Sequence, residues 1–433
     1  MEILKFNQMN ETVYYEKLAN GLQVYLMPKA GFNKTYATFT TKYGSIDSQF
    51  VPLGQTKPYI APDGVAHFLE HKLFEKEDYD VFEKFTENGA ASNAYTSFTR
   101  TCYLFSTTSK VSENLTTLLD YVQAPYFTAA TVEKEKGIIE EEIKMYRDMA
   151  DARAYYGMLE NLFVNHPMKI DIAGTVESIY QITAEDLHTC YNTFYHPSNM
   201  VLFVVGDIEV KQLIELVRTN QAAKGYTDAP AIERIFPNEP THVATPLKTE
   251  YMQISTPKVF IGAKGVVDQS LAAKEQLQIS ACLDILMEMM FGTSSDYYEN
   301  LLNTGLANDS FAYESVHDSV ASYCFVCSDT NQPEAFSTSV KERLLAIAEM
   351  QFDEAEFNRI KRKKIGEQLS MLNSIEFIAN AFTGYAFDGL TLFDGFDVLE
   401  DLQLTDLLAV AKTYFTEEAL SVFQILPEDA NRG

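Results

Sequence analysis

One plan occurs twice in this chain, as DLHTCYNTFYHPSNMVLFVVG at residues 186–206 and as DLLAVAKTYFTEEALSVFQIL at residues 406–426. Each stretch is typical of a helix, a short break and a buried strand. A constant shift of 220 positions aligns the two without a gap and pairs Asp186 with Asp406. We therefore predict two homologous halves, with chance similarity between two helix–strand units as the alternative.

The segments before the first copy indicate the fold class. Strand-like GLQVYLMP and KTYATFTTKYG precede helix-like VAHFLEHKLFE and DVFEKFTENG, and the strand-like RTCYLFSTTS follows them. This mixed order is typical of α+β structure with largely antiparallel sheets. The predicted fold class is thus α+β, with two homologous α/β halves, each a largely antiparallel sheet packed with helices.

A stretch with weak hydrophobic periodicity lies in the middle of the chain. Residues 221–250 contain four prolines among polar residues, a composition typical of a linker. We therefore predict an N-terminal domain at residues 1–220, a linker at 221–250 and a homologous C-terminal domain at 251–433.

Composition and charge limit the possible partners. The 433 residues include 61 acidic and 34 basic side chains, for a net charge of −27. Such a chain repels phosphate backbones and anionic lipids, so we expect neither nucleic acid nor membrane as a partner. Five scattered cysteines do not make a disulfide framework and indicate a reducing compartment. With no signal-like start and no long apolar run, these features predict a cytoplasmic protein.

The segment PDGVAHFLEHKLFEK, residues 62–76, carries the clearest chemical signal. Asp63 is the predicted N-cap of a helix, on which His67 and His71 share one face with Glu70 beside them. Two imidazoles at this separation, a third ligand and an adjacent carboxylate base make a hydrolytic zinc site. The alternative is two histidines on a helix surface with a local glutamate.

A later helix, TVEKEKGIIEEEIKMYRDM at residues 131–149, offers the third ligand. Helical spacing places on one face Glu135, Ile138, Ile139, Glu142, Tyr146 and Met149. Glu142 is thus predicted to lie within an apolar stripe, where a carboxylate is costly unless it binds a cation. We predict Glu142 as the third zinc ligand and Glu135 as a group that orients a ligand. An exposed carboxylate is the alternative for Glu135.

These residues resemble a known family. HFLEH, followed some 70 residues later by ExxxxxxE, is similar to the inverzincin metallopeptidases: pitrilysin, insulin-degrading enzyme and the mitochondrial processing peptidase. The resemblance covers nearly the whole chain and includes GAASNAYTSFTRTCYLF, IAGTVESI and YHPSNMVLFVVGD. The length resembles a short bacterial branch of processing-peptidase-like proteins. The resemblance implies a processing-peptidase-like metallohydrolase fold with one Zn²⁺ per chain, held by the N-terminal half.

The resemblance also implies a role for each matching residue. His67, His71 and Glu142 become zinc ligands, and Glu70 becomes the general base. Asn93 and Ala94 resemble the edge strand that receives an extended substrate, although a purely structural role for both is equally open.

The second half fits this asymmetry. At a shift of 216, the positions of His67, Glu70 and His71 are taken by Leu283, Leu286 and Met287. No metal site is expected there.

One departure from the family pattern affects the predicted activity. Active members carry an Arg and a Tyr in a pattern like LRExGLAY, whereas this chain has NLLNTGLANDSF. Leu301 or Leu302 stands at the Arg position and Asn308 at the Tyr position. A homologous partner subunit that supplies Arg and Tyr in a heterodimer would complete the site.

We therefore predict a zinc metalloendopeptidase subunit that hydrolyses peptides or unfolded polypeptide segments inside a clamshell chamber. One alternative is a non-catalytic scaffold or assembly subunit that retains the fold. Another is a metal-dependent hydrolase of a non-peptide substrate.

Overall fold

A computed structural model describes residues 1–428 of the chain. The strands are β1 (Glu2–Phe6), β2 (Glu11–Lys17), β3 (Gln23–Pro28), β4 (Thr35–Thr41), β5 (Gln49–Val51), β6 (Tyr59–Ile60), β7 (Ala90–Thr96), β8 (Thr101–Thr107), β9 (Met200–Gly206), β10 (Glu233–Arg234), β11 (Leu247–Met252), β12 (Lys258–Lys264), β13 (Ala312–His317), β14 (Ser322–Asp329) and β15 (Leu420–Pro427). The α-helices are α1 (Val65–Phe74), α2 (Val81–Glu87), α3 (Val111–Val122), α4 (Ala129–Asp148), α5 (Ala150–Leu162), α6 (Val176–Ile179), α7 (Ala184–Phe194), α8 (Val210–Ala223), α9 (Ala273–Phe291), α10 (Asp296–Asn303), α11 (Pro333–Ala346), α12 (Glu354–Met371), α13 (Ile375–Ala386), α14 (Asp394–Asp401) and α15 (Leu404–Tyr414). Within this part of the chain, no helix combines the length and apolarity that a membrane span requires.

The five strands of the smaller sheet repeat the arrangement of five strands in the larger one. The larger sheet has the order β1-β2-β3-β9-β4-β8-β7, and the smaller sheet, β11-β15-β12-β14-β13, corresponds to its last five strands. In each sheet one neighbouring pair is parallel, β3 with β9 and β11 with β15, and the other pairs are antiparallel. Helices α7 and α15 precede β9 and β15, the two strands of the repeated plan, with one short 3-10 turn between helix and strand in each copy. The predicted α+β class with two homologous, largely antiparallel halves is confirmed.

The compact units of the structure are assembled from separate stretches of chain. Unit 1 contains residues 1–143, 171–236 and 371–392, and unit 2 contains 144–170 and 237–370 together with the described part of 393–433. The predicted linker region, 221–250, includes the end of α8, all of β10 and the start of β11. Each unit thus takes one helical segment from the opposite half of the sequence.

In unit 1, the segment from the second half of the sequence completes the core. Helix α13 packs on the central strands β4 and β9. The ring of Phe382 lies 5.0 Å from that of Tyr25 and 4.7 Å from that of Phe203. Every residue of β4 and β9 is buried, because helices cover both faces of this part of the sheet.

In unit 2, α5 plays the corresponding part. It packs on β12 and β15, where the Asn161 side-chain amide donates a hydrogen bond of 3.1 Å to the Val422 carbonyl. Gly262 of β12 allows this close approach, since a Cβ there would lie 2.4 Å from the sulfur of Met158. Helix α9 supplies much of the remaining core of unit 2.

Candidate metal centre

Helix α1 begins where the backbone turns tightly against a neighbouring loop. Gly64 occupies the N-cap with φ of 89°, in the left-handed region, and makes no side-chain cap. A Cβ at this position would lie 2.4 Å from the Ala173 carbonyl oxygen, so both the conformation and the space favour glycine. The prediction of Asp63 as the N-cap is therefore wrong. The Asp63 carbonyl instead accepts a hydrogen bond of 2.9 Å from the Ser178 hydroxyl.

The face of α1 that carries the HxxEH motif points away from the core. Its buried face consists of Val65, Ala66, Phe68, Leu69, Lys72 and Leu73. His67, Glu70 and His71 therefore lie together on the opposite side, as their spacing predicts. The two imidazole rings are 4.6 Å apart, centroid to centroid.

Helix α4 presents a different face to the core from the predicted one. Its buried residues are Val132, Lys136, Ile139 and Ile143. The side chains of Ile138, Tyr146 and Met149 are 50%, 41% and 49% exposed, so the prediction that Glu142 lies in a buried apolar stripe is wrong. Acidic and basic residues dominate α4, and two faces compete in its weak pattern.

The structure nevertheless brings Glu142 to the two histidines. Its carboxylate oxygens lie 3.7 Å from His67 Nε2 and 3.4 Å from His71 Nε2. One ligand atom from each of the three residues falls within 4.8 Å of the others. A tetrahedral zinc ion with bonds of about 2.1 Å separates its ligands by about 3.4 Å. The two contacts of Glu142, at 3.4 and 3.7 Å, are close to this separation, and two imidazoles with one carboxylate suit zinc in donor type.

Glu135 approaches the site from one side. One of its carboxylate oxygens lies 3.0 Å from His71 Nδ1, the nitrogen that faces away from Glu142. Such a contact fixes the tautomer and the ring orientation of a metal-binding histidine. Within residues 1–428, Nδ1 of His67 has no corresponding partner.

The electrostatics of the three motif residues differ. Burial and the neighbouring His71 lower the pKa of His67 to about 3. Burial also lowers the pKa of His71, but the hydrogen bond to Glu135 and the nearby carboxylates outweigh it, so the net shift is upward. Burial raises the pKa of Glu70 despite a hydrogen bond from Thr96. A raised pKa makes this carboxylate a stronger base than that of a solvent-exposed glutamate.

Thr96 is the residue at this site that the sequence reasoning missed. Its hydroxyl donates a hydrogen bond of 2.6 Å to Glu70 Oε2. The spacing in the sequence could have indicated Thr96, because it lies two residues after Ala94 and alternation places both side chains on one face of the strand.

Asn93 and Ala94 lie on β7, at the edge of the seven-stranded sheet. They pair with Leu104 and Tyr103 of β8 on one side. The Ala94 N–H donates a hydrogen bond of 2.9 Å to the Asn93 side-chain oxygen. The edge position agrees with the predicted place, while their role in substrate binding stays a prediction.

The second half carries a different cluster at the corresponding helix. The buried positions of α9 repeat those of α1 at a shift of 217, so the predicted shift of 216 is one residue short. Asp284 and Glu288 then correspond to His67 and His71. They form ion pairs of 2.9 Å with Lys364 and 2.7 Å with Lys363 of α12. Among residues 1–428, the group of His67, His71 and Glu142 is the only one whose geometry could hold a metal.

The stretch that departs from the family pattern is well defined. Leu301 is fully buried in the core of unit 2, whereas Leu302 is 39% exposed. The Asn308 side-chain oxygen accepts a hydrogen bond from the Ser310 N–H, which closes a local turn. Of the two leucines, only Leu302 lies at a position where a charged side chain would be exposed to solvent.

Comparison with known proteins shows which family this chain belongs to. Residues 54–176 match the family described as Insulinase (Peptidase family M16), and residues 181–364 match the Peptidase M16 inactive domain. The chain is 47% identical over 425 residues to an uncharacterized zinc protease of Bacillus subtilis, YmfH, covering 98% of this chain and 99% of that protein. The chain therefore belongs to peptidase family M16, and the resemblance noted in the sequence is confirmed.

Solved structures show the same fold. An M16-like peptidase from Alicyclobacillus acidocaldarius superposes with a TM-score of 0.93 at 35% identity, covering 98% of this chain and all of that one. The periplasmic protease PqqL of Escherichia coli has a TM-score of 0.71 at 18% identity, and the match covers this whole chain but 49% of PqqL. At the level of the family, these findings support a zinc-dependent peptidase.

Proposed function

We propose that this chain is a zinc metalloendopeptidase subunit acting on peptides or unfolded polypeptide segments in the cytoplasm. The observation that carries the proposal is the convergence of His67, His71 and Glu142, with ligand atoms within 4.8 Å of one another, on the face that also carries Glu70. The three residues would hold one Zn²⁺. A divalent cation would offset the cost of gathering a carboxylate and two partly buried imidazoles this closely, which favours a retained metal site over a relic of a lost one.

Each residue then has a defined task. Zinc, when bound, supplies a Lewis acid that polarises the peptide carbonyl and acidifies a water molecule. Glu70 takes the proton from the attacking water on a carboxylate oxygen and delivers it to the leaving amine nitrogen. Glu135 holds His71 in the tautomer that leaves Nε2 free for the metal.

The peptide is proposed to bind along β7. An extended chain can add to the edge of the seven-stranded sheet by main-chain hydrogen bonds, with little demand on side-chain identity. Asn93 and Ala94 lie on this edge. A peptide carbonyl that pairs with the Ala94 N–H has to displace the Asn93 side-chain oxygen.

A homologous partner subunit is proposed to complete the site. Leu302 and Asn308 provide neither a cation nor a phenol for the substrate carbonyl, whereas an Arg and a Tyr from the partner would. PqqL supports this arrangement, because one PqqL chain is about twice as long as the part that this fold matches. The two subunits would enclose a chamber that only flexible chains can enter.

The test combines metal content with hydrolysis of a quenched fluorescent peptide library. The protein is measured with and without the candidate partner, as wild type and as Glu70→Gln. Glu141→Gln is the matched control, since this exposed glutamate lies on α4 next to Glu142 in sequence but on another face. We expect one zinc per chain, activity that requires the partner, loss of activity in Glu70→Gln and full activity in Glu141→Gln.

The opposite results would point elsewhere. Absence of both zinc and peptidase activity would favour a scaffold or assembly subunit, and activity that does not depend on Glu70 would refute its role as the general base. Strong peptidase activity of the chain alone would refute the need for a partner while leaving the peptidase assignment in place.

A further inference from the structure

We propose that Thr96 is a positioning residue that holds Glu70 in the orientation required for proton transfer. The inference rests on the proposed function of Glu70. The Thr96 hydroxyl donates a hydrogen bond of 2.6 Å to Glu70 Oε2. Within residues 1–428, no other side chain forms a hydrogen bond to this carboxylate.

The chemistry of the pair fixes the direction of the contact. An ionised carboxylate only accepts hydrogen bonds, so the hydroxyl must donate. The distance of 2.6 Å is in the range for an O–H group bound to a charged oxygen. Threonine is β-branched and has few rotamers, whereas a glutamate has three side-chain torsions. The stiff residue therefore restrains the flexible one.

The strand around Thr96 is itself held in place. Thr96 is the last residue of β7 and pairs with Thr101 of β8. The turn between the strands is closed by a hydrogen bond of 2.8 Å from the Ser97 N–H to the Arg100 carbonyl. On the other face of β7, the Tyr95 hydroxyl donates a 2.9 Å hydrogen bond to the Asn380 side-chain oxygen on α13. The Thr96 hydroxyl is thus presented from a rigid element.

The same strand is the proposed binding site of the peptide. Ala94 and Thr96 lie on one face of β7, two residues apart. A peptide bound along this edge would therefore run past Thr96, the residue that holds the general base Glu70. Thr96 links the position of the substrate to the position of Glu70.

The test compares Thr96→Val with Thr96→Ser in the complete enzyme, with its partner present. Valine keeps the shape of threonine but removes the hydroxyl, and serine restores a hydroxyl. Thr193→Val is the matched control, because Thr193 is a buried threonine of α7 whose hydroxyl donates a 2.8 Å hydrogen bond to the Thr189 carbonyl of its own helix and not to Glu70. For each variant, kcat, KM and zinc content are measured, and a crystal structure is determined.

We expect Thr96→Val to lower kcat by about 10- to 100-fold, with KM and zinc content close to wild type. Its crystal structure should show the Glu70 carboxylate in more than one rotamer. Thr96→Ser should recover most of the lost kcat and a single Glu70 rotamer, and Thr193→Val should retain the kcat of wild type.

Wild-type kcat in Thr96→Val, or an unchanged single Glu70 rotamer in its crystal structure, would overturn the inference. An equal loss of kcat in Thr193→Val would also overturn it, because the effect would then be general destabilisation. Failure of the proposed function has a different signature, full activity in Glu70→Gln. The crystal structures decide the positioning role even in that case.

Discussion

Replacement of Glu135 tests how the metal centre is supported from outside its ligands. The Glu135 carboxylate lies 3.0 Å from His71 Nδ1, and its side chain is 13% exposed. A hydrogen bond to a charged group contributes about 1.5–3 kcal/mol, which corresponds to about a 10- to 100-fold change in affinity. Glutamine keeps an oxygen that can accept the His71 N–H but loses the charge. We therefore expect Glu135→Gln to weaken zinc binding about 10-fold and Glu135→Ala about 100-fold.

The assay is competition for zinc between the protein and a chromophoric chelator, at one fixed pH near neutrality. Glu141→Gln serves as the control for the loss of one negative charge from α4. Its affinity should match that of wild type. Equal affinities for wild type, Glu135→Gln and Glu135→Ala would refute the reasoning, since the 3.0 Å contact would then have no influence on the metal. A loss in Glu141→Gln as large as in Glu135→Gln would show a general effect of charge instead.

Two further predictions concern the folded state. Phe382→Ala should cost about 3–5 kcal/mol in unit 1, because it empties a fully buried position. Hydrogen-exchange mass spectrometry should then show faster exchange in β4 and β9, and a change confined to unit 2 would contradict the placement of α13. The hydrogen bond from Arg153 lowers the folded-state pKa of Glu250 to about 2, below the ordinary value near 4.3. The ionised Glu250 therefore stabilises the folded state above about pH 4, and this contribution is lost as the pH falls toward 2. Urea unfolding should show Glu250→Gln less stable than wild type by up to about 1 kcal/mol at neutral pH, with the difference vanishing near pH 2; a constant difference across that range would contradict the pKa shift.

The structure also shows why the two halves of the chain have different chemistry. At corresponding positions, α1 carries His67 and His71 and α9 carries Asp284 and Glu288. In unit 2 the carboxylates are neutralised by two lysines of α12. In unit 1 the two imidazoles face a carboxylate, and these three groups together can coordinate a divalent cation. Corresponding positions of α1 and α9 thus contribute to a candidate metal centre in one half and to an ion-pair cluster in the other.

Much of this arrangement could be predicted from the sequence, because it depends on local periodicity. Spacing of four residues places His67 and His71 on one face of any helix, with Glu70 beside them. The constant shift between residues 186–206 and 406–426 predicted one plan for both halves, and the two sheets confirm it. Side chains separated by fixed numbers of residues keep their relation whatever packs around them.

Only the tertiary structure decided which helix face met the core and which segments packed together. The sequence of α4 is compatible with two different buried faces. In the structure Ile139 and Ile143 are buried in the core, while Ile138 is exposed. The exchange of residues 371–392 into unit 1, and the contact of Thr96 with Glu70, join residues far apart along the chain. Periodicity indicates which residues share a face of a helix or strand. Which other segment packs against that face depends on contacts between distant parts of the chain.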